Sequence, residues 1–396
     1  MCAFKLSFVF VLVLAIQTAA FADQEDDENF VSVPLPLLAK KFIVAEQATA
    51  FAIGVQDGSC SVLAAYGKDK QLRIAVTRGP GGGKIFDTEL QLTVPPRLVV
   101  ADLDGDSKSE VLVCSDKLRV FRVEEDGLSL IWTSQEAFDA SRAPTLGLSD
   151  FDGDGDIDIA VLNYTPKNSD KKSLYLYLNE EGEARFSLSG TVTLTDEDGY
   201  HSTSGLAIGD FSGDERMDIV VGNSNGWMWL LEIRNEKPTV EQSWRVESGG
   251  AIGSGLSSGN LVAGSKKELL VGTNGGDIFV YHFPATGIPE VIAKASAGRL
   301  AYGVQAGDMD GDGLDEFLLA RGSLGYAEMT EKDVVTEIWK LTGDKLHVIW
   351  RKEATGFVTP RLMLLDIDGD GTPELITYSP FGKGRTIEAV KPIFGH

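Results

Sequence analysis

Five stretches of the chain place acidic side chains on alternate residues and then turn apolar. They are DLDGDSKSEVLV from Asp102, DFDGDGDIDIAV from Asp150, DFSGDERMDIVV from Asp210, DMDGDGLDEFLL from Asp308 and DIDGDGTPELIT from Asp366. Like charges this close repel, so the pattern calls for a counter-charge. A hard divalent cation supplies one: calcium takes about 6 to 8 oxygen ligands at roughly 2.3 to 2.6 Å, and a short loop can aim several carboxylates at one point. Small residues between the acids let the chain turn around the ion, glycine most freely. In the second stretch the ligands are expected to be Asp150, Asp152 and Asp154, the carbonyl of Asp156, and Asp158. The apolar run that follows then anchors the cage in a core.

The helix-loop-helix calcium hand also begins D-x-D-x-D-G, but it needs a glutamate at position 12 and flanking helices. Position 12 here holds Val113, Val161, Val221, Leu319 and Thr377, and β-type sequence surrounds the loops. The hand is therefore set aside.

The elements that must hold these loops are legible from a wider repeat. A sixth segment, NLVAGSKKELLV from Asn260, keeps the frame but reads as having lost its acids, and successive starts fall 48 to 60 residues apart. Four residues before each start stand Leu98, Leu146, Leu206, Leu256, Val304 and Leu362, while three before stand Val99, Gly147, Ala207, Ser257, Gln305 and Met363. A large row beside a mostly small row is a strand with one face in a core and the other facing something crowded, expected to be a central channel. Further apolar positions recur at Phe86, Trp244, Ile292 and Trp350, with Trp132 displaced by two. Asp158 to Leu162 reads as the second strand, and NEEGEA and TGDK as turns. Four short strands in about 50 residues form a propeller blade. Counting back one period reaches Ile53, whose surroundings alternate without acids. The chain is thus expected to be all-β, a seven-bladed β-propeller with four-stranded blades over residues 33–396. The last blade lacks one strand, and Phe30 to Val44 supplies a candidate that would close the ring and cover two exposed edges.

The D-x-D-G-D-G-x-x-[DE] loop at this period, set before a short hydrophobic strand, resembles the FG-GAP repeat of integrin α-subunit propellers and the related VCBS repeats of exported bacterial proteins. The resemblance implies calcium in the loop joining the first two strands of a blade. Carried over by position, it implies side-chain ligands Asp102, Asp104, Asp106 and Glu110; Asp308, Asp310, Asp312 and Glu316; and Asp366, Asp368, Asp370 and Glu374, beside the Asp150 set. Position 7 carbonyls would come from Lys108, Arg216, Leu314 and Thr372. The third loop offers Asp210, Ser212, Asp214 and Asp218, with Glu215 where glycine is usual, so it is expected to bind more weakly than the four complete loops. The Asn260 loop and the Ile53 region are expected to bind nothing.

Composition bounds the partners. A net charge of -23 and a pI near 4.6 exclude binding to a nucleic acid backbone, whereas cations are natural counterparts. Residues 1–22 read as a signal peptide: Lys5, an apolar run from Leu6 to Ile16, then Ala20-Phe21-Ala22. That run is too short to span a bilayer and no later one approaches the length, so a secreted, soluble product with an acidic flexible tail at 23–32 is expected. In a Gram-negative source the product would be periplasmic. Cys60 and Cys114 are expected to be two buried thiols, because the repeat register puts them at different heights. Four histidines leave little for a zinc site.

Other motifs are weaker. RGPGGGKI lacks the spacing and the Ser or Thr of a phosphate loop and reads as a hairpin turn. Asn163-Tyr-Thr is a glycosylation sequon if the source is eukaryotic. Trp227 to Leu231 reads as blade packing. No nucleophile and base stand at recognisable spacing. A ligand would sit on the face opposite the acidic loops, where Tyr200, His201, Arg299, Tyr302 and Arg361 are candidates. The leading expectation is a non-catalytic module binding an extracellular protein or glycan. A polysaccharide lyase or hydrolase on a propeller and a scaffold subunit are the alternatives.

Overall fold

The computed structural model describes residues 30–33 and most of residues 50–394. The leader at 1–22 and the acidic stretch 23–29 lie outside the described residues. After β1 (Phe30–Val33), blade one comprises β2 (Ala50–Gln56), β3 (Cys60–Tyr66), β4 (Gln71–Arg78) and β5 (Gly82–Glu89). Blade two is β6 (Arg97–Ala101), β7 (Glu110–Cys114), β8 (Leu118–Val123) and β9 (Leu128–Thr133). Blade three is β10 (Thr145–Ser149), β11 (Asp158–Leu162), β12 (Leu174–Asn179) and β13 (Phe186–Val192). Blade four is β14 (Thr203–Gly209), β15 (Asp218–Asn223), β16 (Trp227–Arg234) and β17 (Lys237–Arg245). Blade five is β18 (Ile252–Gly259), β19 (Glu268–Thr273), β20 (Asp277–His282) and β21 (Glu290–Ser296). Blade six is β22 (Leu300–Gly307), β23 (Glu316–Gly322), β24 (Val335–Thr342) and β25 (Lys345–Glu353). Blade seven holds β26 (Arg361–Leu365), β27 (Glu374–Ser379) and β28 (Thr386–Pro392).

Seven four-stranded antiparallel sheets result, arranged in a ring as a seven-bladed β-propeller. In six of them the strands follow chain order, so every internal connection is a hairpin. The seventh runs β1-β28-β27-β26, with Phe30 opposite Pro392 and Val33 opposite Ala389. The aromatic and β-branched residues Phe30, Val31 and Val33 suit a strand, and the first three residues of β1 fall in the stretch read as tail. The segment 34–49 lies outside the described residues.

Apolar residues are buried mainly between blades. One core layer joins blades one and two, and further layers join two to three, three to four, four to five, five to six, and six to seven. This explains the two rows on each first strand. Leu98 packs into the layer shared with the preceding blade, whereas Val99 enters the layer shared with the following one. The narrow row, expected to face a crowded channel, is narrow because the next blade stands against it. A Cβ on Gly147 would come within 2.4 Å of Ile208 Cδ1, and one on Gly54 within 2.5 Å of Val100 Cγ1. Small residues there set how closely neighbouring sheets approach.

The recurring aromatic and aliphatic positions Phe86, Trp132, Trp244, Ile292 and Trp350 all fall on fourth strands. Trp132 packs edge-on against Tyr177 and Phe186 of the next blade, at ring distances of 5.7 and 5.4 Å. In blades two to six the pairing of third and fourth strands slips at one place, between Val120 and Phe121, Leu176 and Tyr177, Leu230 and Leu231, Val280 and Tyr281, and Ile338 and Trp339. Blade one pairs straight through, from Gln71 opposite Glu89 to Arg78 opposite Gly82.

Three minor motifs are absorbed by this architecture. Lys84, in the glycine-rich hairpin, donates to the carbonyl of Glu125 at 2.6 Å in the next blade. Met228 to Leu231 are buried in β16. Asn163 is fully buried, its Nδ2 donating to Lys172 O at 3.1 Å and its Oδ1 accepting from the backbone N–H of Asp139 at 3.0 Å. The sequon is thus a loop staple whose amide is engaged in the folded chain.

Cys114 is free and buried, and burial pushes its thiol well above the usual range. Only the thiolate reacts readily. Native protein treated with iodoacetamide should therefore leave Cys114 unlabelled in peptide maps, while protein unfolded in guanidinium is labelled there. Equal labelling in both states would contradict the burial. The side chain of Cys60 is outside the described residues.

Candidate metal centres

Each acidic loop joins the first and second strands of its blade, so all of them crown one face of the ring. Their backbone is locally demanding. Position 4 is left-handed at Gly105, Gly153, Gly213 and Gly311, and position 6 at Gly155, Gly313 and Gly371. Ser107 and Glu215 take the same position 6 conformation without being glycine, at φ of 67° and 69°. L side chains adopt that region at a cost, which explains the glycines elsewhere.

The position 1 carboxylate organises the turn. Asp150 accepts from the backbone N–H groups of Gly153 and Gly155 at 2.7 and 3.0 Å, and Asp308 accepts from Gly311 and Gly313 at the same distances. Position 9 ties the loop to its strand. Glu110 accepts from Leu103 N–H, Asp158 from Phe151, Asp218 from Phe211 and Glu316 from Met309, at 2.8 to 3.1 Å. Glu268 accepts from Leu261 in the same way although its loop has lost the other acids. This shared role explains why Asn260's loop keeps an acid there, a signal visible in KKELLV.

Positions 1, 3 and 9 converge. In Asp102, Asp104 and Glu110, in Asp150, Asp152 and Asp158, and in Asp308, Asp310 and Glu316, one oxygen from each residue lies within 4.8 Å of the others. The position 5 residues Asp106, Asp154 and Asp312 are not in those groups. Asp210, Ser212, Asp214 and Asp218 do not form such a group; Ser212 Oγ instead donates to Asp214 Oδ1 at 3.1 Å. In the last loop Asp366 accepts from Asp370 and Gly371 N–H groups, while Asp368 lies outside the described residues. The backbone N–H groups of Lys108, Asp156, Arg216, Leu314 and Thr372 each donate to the position 5 aspartate.

The electrostatics fit a cation. Burial pushes Glu110, Asp158 and Asp218 up to about 7, so their ionised forms are costly without a positive neighbour. Asp102 Oδ1 is buried and makes no hydrogen bond among the described residues, and the donor set is all oxygen. Hard oxygen ligands of this kind suit calcium or magnesium.

Sequence reasoning did not find the cations already present. Arg122 of β8 pairs with Asp104 and, at 3.4 Å, with Glu110 Oε1. Lys340 of β24 reaches Asp310, Asp312 and Glu316 at 2.5, 2.7 and 2.7 Å. Lys391 of β28 pairs with Asp370 and, at 3.4 Å, with Glu374. The Lys340 hydrogen bond holds Asp312 below the usual carboxylate range, and that of Lys391 does the same for Asp370.

Of the residues expected on the opposite face, Tyr200, His201 and Arg299 lie outside the described residues. Tyr302 is on β22 and Arg361 on β26, with nothing described of their side chains.

The ring of seven four-stranded sheets, with acidic loops between first and second strands, defines a β-propeller of the repeat-built class. Residues 150–221 match the model of the FG-GAP-like repeat, in agreement with the seven-bladed ring around them. No curated protein matches it significantly. Solved structures show the fold alone, at low identity. Sqt1 of Saccharomyces cerevisiae superposes with a TM-score of 0.54 at 12% identity, covering 89% of this chain and 98% of that one. Sqt1 of Chaetomium thermophilum, bound to the N-terminus of ribosomal protein L10, gives 0.55 at 13%, covering 87% and 84%. BBS1N in complex with ARL6DN gives 0.56 at 12%, covering 85% and 89%.

Proposed function

We propose that this chain is an exported, calcium-stabilised, non-catalytic propeller that presents a rigid ring to a protein or glycan ligand. The observation that carries the reading is the threefold recurrence of one oxygen cluster, positions 1, 3 and 9, at one height on one face. Asp102, Asp104 and Glu110, their counterparts from Asp150, and those from Asp308 would hold the ions. A bound ion supplies positive charge to buried carboxylates; the loops supply the geometry. Two of the similar propellers are crystallised with protein partners, which favours a protein ligand over a glycan.

A native-state ligand at 100 times its Kd stabilises by about 2.7 kcal/mol for each site. Calcium at millimolar concentration should therefore raise Tm by several degrees over the chelated protein. A melting curve indifferent to both calcium and chelator would sink the metal reading. A glycan array and a partner pull-down, each with and without chelator, test the ligand. New reducing or unsaturated ends on the array would replace the non-catalytic reading by an enzymatic one.

A further inference from the structure

The residue that faces position 9 from the third strand sorts the loops into two kinds. Glu110 faces Arg122, Glu268 faces His282 at 3.3 Å, Glu316 faces Lys340 and Glu374 faces Lys391. Asp158 and Asp218 face no base there: β11 and β12 set Leu178 beside Asp158, and β15 and β16 set Glu232 beside Asp218. Asp158 directs its second oxygen to the backbone N–H of Asn179 at 2.9 Å. The longer glutamate thus accompanies a base in four blades, and the shorter aspartate accompanies none in two.

Lys340 is the fullest case. Its ammonium touches carboxylates of positions 3, 5 and 9, and two of them, Asp310 and Glu316, belong to the oxygen cluster of its loop. Its side chain is only 20% exposed, so the charge is held in place rather than waving in solvent. An ammonium seated there repels a divalent ion that seeks the same oxygens.

We propose that Lys340 is a built-in counter-ion that competes with divalent metal for the Asp308 loop, and that Arg122 and Lys391 do the same in theirs. The Asp150 loop, complete and free of such a base among the described residues, is then the tight site of the ring. This rests on the metal reading above, and it adds a graded set of affinities. A unit charge removed from within about 4 Å of a partly exposed ion changes its affinity by about tenfold or more.

The test uses the full chain with terbium and calcium, read by tryptophan-sensitised luminescence and by calorimetry. Wild type should show one tight class of site, lost in the Asp150→Asn/Asp152→Asn double variant. Lys340→Met should gain a further tight class, with affinity up by about tenfold or more over wild type. Its metal-free Tm should fall, because three carboxylates lose their cation, and calcium should restore it. Lys391→Met, in another blade, gives the same readout should Lys340→Met fail to fold even with calcium. Unchanged or weakened binding in both lysine variants, with the Asp150 loop still binding, overturns the proposal alone. No binding in any of these proteins overturns the metal reading itself.

Discussion

Phe211→Ala should lower the unfolding free energy by about 3 to 5 kcal/mol, the cost of emptying a large buried aromatic site. Phe211 is fully buried at position 2 of its loop, yet it packs away from its own acids and into the layer between blades four and five. There its ring lies 4.9 Å from that of Phe283, which in turn meets Trp244 edge-on at 5.8 Å. The same position holds Leu103, Phe151, Leu261 and Met309, each buried against the following blade. Position 2 thus pins every described loop to its neighbour, and truncation should loosen the turn as well as the core. Urea melts at constant m would give the loss, and limited proteolysis would show new cleavage near Gly213. A loss below about 1 kcal/mol would mean the layer collapses around the gap.

Asp158→Ala should be nearly as damaging, by about 2 to 6 kcal/mol, because two buried amide donors lose their acceptor at about 1 to 3 kcal/mol each. These are the N–H groups of Phe151 at 2.8 Å and Asn179 at 2.9 Å, one on each side of the carboxylate. Asp158→Asn keeps the shape and one acceptor oxygen but turns an NH2 group towards the other donor. The expected order of stability is wild type, then asparagine, then alanine, in chelated protein as well as in calcium. A loss that vanished on chelation would assign Asp158 to the ion alone and remove its part in tying the loop.

Most of the architecture was legible because it repeats. The acidic frame located the loops, the apolar row four residues ahead located the first strands, and Asp158 to Leu162 was read with the boundaries that β11 has. Seven blades followed from the period. The glycine row was legible too, but its cause was not: sequence gives the alternation of faces without saying what stands opposite, and the next blade filled that place. The basic residues that reach the acidic loops were invisible for a related reason. Arg122, Lys340 and Lys391 lie on third strands, and the hairpin between second and third strands differs in length from blade to blade, so no fixed spacing ties them to the acids. Only the pairing of strands brings them into line. Glu268 was passed over because its loop lacked aspartates, although its place at position 9 was present in the frame.

The slipped pairing on the outer strands bears on how crowded molecules behave. An open strand edge is a template for another chain, and a bulge twists it out of register with any visitor. Blades two to six carry that device, and blade seven ends in the four-residue β1, too short to template a long pairing. The eight residues of β5 have neither protection, running straight beside β4 with Ile85 turned to solvent. Lys84, Asp87 and Glu89 break up that flank with charge, so the resistance of the rim to fibre growth depends there on electrostatics, and salt weakens it at that flank before any other.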